Sequence, residues 1–221
     1  MSGNEISIHL KKIGCRLGGL SSSETKTPKQ WIDIEDTLLA AANEIPHDPR
    51  LFGVLLTWFE VHGDYVLFEK LAKKIKTLSD DSPARIWLNA IYIHAAHKGQ
   101  HQCKRWIWRS EKPIYLYPKD VADSAIKIKG AISYFKEMNY FFPEGSIRIR
   151  ESDVFSREEL LKQNRQYRNR YLYGACWRAD IITAIEFGMS SPMEISKCIG
   201  CSYEPAHRIL SEYRLAKKSV A

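Results

Sequence analysis

The stretch Ser190-Ser191-Pro192-Met193-Glu194-Ile195-Ser196-Lys197-Cys198-Ile199-Gly200-Cys201-Ser202-Tyr203-Glu204-Pro205-Ala206-His207-Arg208-Ile209-Leu210 admits three readings: two short helices around a tight turn that presents the second to DNA, a zinc clip on Cys198-x-x-Cys201, or two helices closing a core. Ser191-Pro192 is a helix start, a capping hydroxyl followed by a proline where a missing N–H costs nothing. Ile195 and Ile199 lie one turn apart on one face, and Ser196 beside them is small enough for a crossing helix to approach. Gly200 supplies the positive φ that a tight inter-helix turn needs. Cys201 follows as a small inward residue and Ser202 as the next cap. Pro205 then falls in a first turn, where backbone N–H groups lack intrahelical partners. Ala206, Ile209 and Leu210 turn inward, which leaves Tyr203, Glu204, His207, Arg208 and Ser211 on the outer face.

Toward the N-terminus of that pair, Arg178 to Gly188 carries Ile181, Ile182, Ala184 and Ile185 in helical spacing, with Gly188 closing the helix. Earlier still, Ser156 and Glu159 form a capping-box pattern opening a helix that runs through Leu160 and Leu161 to Arg170. Between Lys162 and Arg178 stand five basic residues and no acidic one, interleaved with Tyr167, Tyr171, Tyr173 and Trp177. That composition suits phosphate contacts; it equally describes a solvated helix face ending in core aromatics.

The spacing of Ile195, Ser196, Ile199, Gly200, Cys201, Ala206 and Ile209 resembles a bacterial helix-turn-helix. The wider run from Tyr171-Leu172-Tyr173-Gly174 through Arg178-Ala179-Asp180-Ile181-Ile182 to Arg208-Ile209-Leu210-Ser211-Glu212-Tyr213 resembles winged-helix transcription regulators of the MarR and ArsR type, including those attached to toxin–antitoxin and phage-defence operons. The resemblance is confined to the last part of the chain. It implies that the second helix of the pair enters the major groove, with Tyr203, His207, Arg208 and Ser211 reading bases, and with Lys162, Arg165, Arg168, Arg170, Arg178, Ser191 and Lys197 gripping the phosphate backbone. Only Arg214 to Ala221 follow, too few for a two-stranded wing. The wing is therefore absent, reduced to one strand, or supplied by an earlier strand such as Ile147–Arg150.

Upstream, helix signals repeat. Thr27-Pro28 precedes Trp31, Ile34, Leu38, Leu39 and Ala42; Asp48-Pro49 opens a helix closing at Gly63; Asp64 opens one through Leu78; Ser82-Pro83 opens one ending near Gly99. No residue pattern repeats at a fixed period, so the block reads as a bundle rather than a solenoid. Ile6, Ile8 and Leu10 alternate as in a strand, and Gly18 to Ser23 reads as a loop. Beyond Gly99, Arg105–Arg109 and Ile114–Tyr117 alternate and predict a β-hairpin, then a helix from Asp120 to Met138, then a second hairpin or connecting strand over 140–150. The expected fold is mainly α (α+β): a helical and mixed α/β domain over 1–150 with an N-terminal helical bundle, a small β-hairpin region, and a C-terminal three-helix winged-helix-like domain over 151–221.

The 33 Lys and Arg against 26 Asp and Glu give a net charge of +7, which favours polyanionic partners. No stretch has the apolar length of a signal peptide core or a membrane span, so a cytoplasmic protein without membrane contact is expected. Five cysteines at irregular spacing predict reduced thiols, and those of the C-terminal half read as free and buried rather than as zinc ligands. A zinc set of Cys176, Cys198, Cys201 and His207 would have only one paired short spacing where a strong signature has two. His94, His97 and His101 lack carboxylates at ligand spacing and read as surface histidines near a helix end. Trp106 and Trp108, flanked by Lys104, Arg105 and Arg109, would either stack single-stranded bases or face a core. With no phosphate loop, nucleophile elbow or catalytic cysteine context, neither an enzyme nor a metal or cofactor is expected. The function read from the sequence is a sequence-specific double-stranded DNA-binding regulator, dimeric on two half-sites, with a protein partner through residues 27–150. The rival is a protein-interaction module, an antitoxin-like or defence-system assembly factor; metal-dependent nucleic-acid hydrolysis is a distant third.

Overall fold

The computed structural model of the protein describes residues 3–17 and 31–218. The chain is mainly helical: α1 (Gly3–Lys12), α2 (Ile34–Glu44), α3 (Arg50–His62), α4 (Phe68–Ile75), α5 (Pro83–His97), β1 (Ile114–Tyr115), α6 (Lys119–Lys129), α7 (Ser133–Lys136), β2 (Tyr140–Phe141), α8 (Arg157–Gln163), α9 (Arg165–Tyr173), α10 (Trp177–Glu186), α11 (Pro192–Ile199) and α12 (Tyr203–Lys218). None of the described helices is long and apolar enough to cross a membrane.

Two hydrophobic clusters organise these elements. The larger is built around α3, whose Phe52, Leu55, Leu56, Trp58 and Phe59 are all fully buried, so the helix runs through the core with apolar groups on most of its circumference. Phe52 meets Trp87 edge-on at 5.2 Å and Phe142 at 5.4 Å, and Trp87 stacks on Phe142 at 5.8 Å, which couples α3, α5 and the segment after β2. Val154, Leu160 and Tyr167 also belong to this cluster. The smaller cluster is made by Ile181, Ile182, Ala184, Ile195, Ile199, Ala206, Ile209 and Leu210, with Trp31 against its edge.

The segment of Ile6, Ile8 and Leu10 is a helix, because Ile6, Leu10 and Ile13 recur at i, i+4 and i+7 and are the buried set. The Trp58 indole N–H fixes that helix end by donating to the Ile13 carbonyl at 2.7 Å. The Thr27-Pro28 start lies outside the described residues; α2 is capped instead by Asp33, whose carboxylate accepts from Asp36 N. The expected β-hairpin does not form. Residues His101–Trp106 are a 3₁₀ helix, and the Asn89 side chain bonds the Trp108 backbone twice, accepting from its N at 3.1 Å and donating to its O at 2.8 Å. A side-chain amide thus takes the place of a partner strand. Strand β1 pairs in parallel with β2 in the register Ile114–Tyr140 and Tyr115–Phe141, and α6 and α7 supply the crossover that parallel pairing requires. The helix predicted over 120–138 breaks at Gly130, at φ 85°, and in place of a second hairpin the chain after β2 turns at 144–145 and passes beside α3, where Arg150 N donates to Thr57 Oγ1.

Of the three histidines expected at the surface, His97 and His101 are exposed and His94 is buried. His94 is 1 % exposed; its Nε2 lies 2.7 Å from Glu60 Oε1 and its Nδ1 2.9 Å from the Tyr134 hydroxyl. His97 is exposed and stacks on Tyr134 at 4.0 Å. His62 is wholly buried, with Nε2 donating to the Phe155 carbonyl at 3.0 Å, so its Nδ1 accepts from the Tyr167 hydroxyl at 2.9 Å. Burial lowers the His62 pKa from 6.5 to about 4. The unfolded chain therefore takes up a proton at His62 before the folded one does. Stability is unaffected above about pH 7 and falls as pH drops from 6.5 toward 4, by at most about 3 kcal/mol for this group. Urea midpoints measured across that range should show the fall, and His62→Phe should flatten it.

Candidate nucleic-acid interface

Helices α10, α11 and α12 form a set of three on the smaller cluster, α12 packing on both α10 and α11. Ser191 is the N-cap of α11 with Pro192 in its first turn, and Gly200 closes it in the left-handed region at φ 76°, ψ 22°. Gly188, at φ 95°, turns the chain out of α10. Ile195, Ser196 and Ile199 are buried on α11, and Ala206, Ile209 and Leu210 on α12. The opposite face of α12 carries Tyr203, His207, Arg208 and Ser211, all exposed. Tyr203 and His207 stack at 5.9 Å, an i, i+4 pair that presents two rings side by side.

Arg208 lies between two acids of its own helix, 3.6 Å from Glu204 and 3.2 Å from Glu212. Glu212 also receives Arg178 at 3.1 Å, which ties α10 to α12. Arg214 donates to the Ser190 carbonyl at 2.5 Å and holds the turn before α11 against α12. From Met189 to Lys218 five Lys and Arg stand against three Glu, a modest positive surplus. Because α12 continues to Lys218, a two-stranded wing after it is absent among the described residues. The segment Ile147–Arg150, the other wing candidate, lies against α3, with Arg150 N donating to Thr57 Oγ1 at 3.2 Å.

The candidate phosphate residues divide. Lys197 is exposed on α11, Ser191 is half-buried at its start, and Arg178 faces α12. Lys162 and Arg168 are exposed on α8 and α9, and the single helix expected there is broken at Asn164, whose Oδ1 accepts from Tyr167 N while its Nδ2 donates to the Lys12 carbonyl. Arg165 is engaged at the end of α10, donating to the Glu186 carbonyl at 2.7 Å and covering the Phe187 ring at 5.1 Å. Arg170 must be withdrawn from the phosphate set. It is 0 % exposed and its guanidinium is used up inside the protein.

That guanidinium is the centre of an ion network no sequence signal announced. Arg170 Nε and Nη2 donate to the two Asp180 oxygens at 2.8 Å each, and Nη1 and Nη2 donate to the Glu35 oxygens at 2.6 and 2.7 Å. Lys70 joins Asp180 at 2.9 Å, Glu35 at 3.5 Å and Asp33 by a short contact. Gln166 accepts from Ile34 N and donates to Asp33 and Asp180, and Leu67 N donates to Glu35. Asp33, Glu35 and Asp180 are the only group of three carboxylate, histidine or cysteine ligand atoms close enough to share a metal ion among the described residues, but Lys70 and Arg170 already occupy their oxygens. Burial works to raise the Asp180 pKa, and Arg170 and Lys70 outweigh it and bring it below the usual carboxylate range. The Arg170 and Lys70 pKa values rise despite burial, Arg170 because Asp180 and Glu35 hold it and Lys70 because Asp180, Glu35 and Asp33 surround it. The network joins α2, α4, α9 and α10, so it seats the three-helix unit on the rest of the protein. Lys73 over the Trp177 ring at 4.8 Å and the Trp177 N–H to Glu69 at 3.3 Å reinforce the same contact between α4 and α10.

The cysteines are all free; Cys15 and Cys103 are buried, whereas of the three thiols in the zinc set, expected to be buried, Cys198 is exposed and Cys176 and Cys201 are half-buried. No family model, curated protein or solved structure matches the chain.

Proposed function

We propose that α10–α12 bind duplex DNA, with α12 entering the major groove, and that the protein is a sequence-specific regulator of transcription acting in the cytoplasm as a dimer on two half-sites. The observation that carries this reading is the two-sidedness of α12: Ala206, Ile209 and Leu210 hold it to the core, while Tyr203, His207, Arg208 and Ser211 stand outward beyond a glycine-hinged turn. The ion pairs of Arg208 do not oppose it. Exposed pairs of this kind are worth about 0–1 kcal/mol, less than the 1–3 kcal/mol of a bidentate contact to guanine. Lys197 and Arg178 flank α12 and would meet the backbone, and the +7 net charge favours the encounter.

Selection of bound fragments from randomised duplex DNA tests this. An enriched, two-fold symmetric site is expected, with affinity falling steeply as salt rises. Arg208→Ala should cost about 1–3 kcal/mol on the selected site and little on random duplex, whereas Lys197→Ala should weaken both alike. Absence of any enriched sequence, together with equal, salt-insensitive behaviour of the two variants, would sink the reading. One feature favours the rival interaction module in that event: Tyr171, Leu172 and Tyr173 are three consecutive exposed apolar side chains at the end of α9.

A further inference from the structure

The two tryptophans singled out in Arg105-Trp106-Ile107-Trp108 play no part in the three-helix unit. They line a separate cavity of about 350 Å³ between the end of α4, α5 and the chain from the end of the 3₁₀ helix to Trp108. A cavity of that size is in the range that holds a small molecule, roughly 300–1,000 Å³. Its floor is apolar, from Ile75, Tyr92 and Ile107 beside the two indoles. The Trp106 Nε1 is buried and meets no hydrogen-bond acceptor among the described residues.

The charge around the cavity has one sign. Lys76, Arg85 and Arg105 line it, and no carboxylate does. Arg105 lies 4.7 Å over the Trp106 ring and Arg85 5.3 Å over the Trp108 ring, so the indoles hold both guanidiniums at the cavity. Arg85 also pairs with Asp80, an exposed acid outside the lining, whereas Lys76 and Arg105 have no ion-pair partner among the described residues. An apolar, aromatic floor with three cations selects a planar ring that carries an anionic group.

We infer that this cavity is a binding site for a small planar aromatic anion, a ring of nucleobase or indole size bearing a phosphate or a carboxylate. The site lies apart from α12, and it stands or falls independently of DNA binding. Calorimetric titration of the full chain with AMP and, separately, with indole-3-acetate tests it and tells phosphate from carboxylate. At least one of the two should bind at sub-millimolar concentration. That affinity should fall about tenfold or more in Lys76→Ala and in Arg105→Ala, as loss of a charge-assisted hydrogen bond implies. Both side chains are exposed, so neither substitution threatens folding. Trp106→Ala, which removes a ring from the cavity wall, should weaken binding severalfold. Adenosine and ribose 5-phosphate, each carrying half of the required chemistry, should bind at least about tenfold more weakly than AMP if phosphate is the anion. Failure of both probes to bind by about 1 mM, or binding indifferent to Lys76→Ala and Arg105→Ala, overturns the assignment.

Discussion

Arg170→Met is expected to destabilise the protein by about 3–5 kcal/mol, the usual consequence of removing one partner from a buried ion network. The side chain is fully buried and supplies bonds to Asp180, Glu35 and the Tyr65 carbonyl. Without it three carboxylates face Lys70 alone. A shift of that size corresponds to a melting temperature lower by roughly 10 °C for a chain of this length. Arg170→Lys should cost less but remain clearly destabilising, since one ammonium cannot make two bidentate contacts. Adding Glu35→Gln and Asp180→Asn to Arg170→Met should recover part of the loss, because the unpaired charges go with them. The same experiment separates a structural from a phosphate role: Arg168→Ala, on the exposed face of α9, should leave stability within about 0.5 kcal/mol of the wild type. A change below about 1 kcal/mol in Arg170→Met would mean that the network is not desolvated as its burial implies. Acid should act on the same place. The lowered Asp180 pKa adds stability that is present above its ordinary value of 3.8 and is lost as pH falls through the folded value.

Gly53→Ala should be nearly as damaging, by about 2–4 kcal/mol, although alanine is the better helix former by about 1 kcal/mol. A Cβ at this position of α3 would drive into the Arg148 carbonyl oxygen and stand 3.4 Å from its carbon. Backbone must move, and it is held: Arg150 N donates to Thr57 Oγ1, and Thr57 Oγ1 donates to the Gly53 carbonyl at 2.9 Å. Gly63→Ala is the contrast. Its obstacle is the Gln100 side chain, with Nε2 at 2.7 Å, which can swing away at the cost of its bond to the Phe59 carbonyl. About 1 kcal/mol is expected there. Urea unfolding of the two variants side by side decides; equal losses would show that the chain at Arg148 gives way as easily as a glutamine side chain.

Local chemistry was enough for much of the architecture. Ser82-Pro83, Ser156 with Glu159, Ser191-Pro192 and Gly200 act within one helical turn of themselves, so the helices they start and stop were legible in the chain, as was the inward and outward division of α12. What tertiary structure decided rests on partners far apart in sequence. Arg170 reads as one more base in a basic run until Glu35, 135 residues away, meets it. His94 reads as a surface group until Glu60 and Tyr134 close on it, and Trp108 reads as a strand until Asn89 takes both of its backbone bonds. Burial of a charge or a backbone group depends on which distant groups arrive to pair it, and no spacing along the chain encodes that arrival.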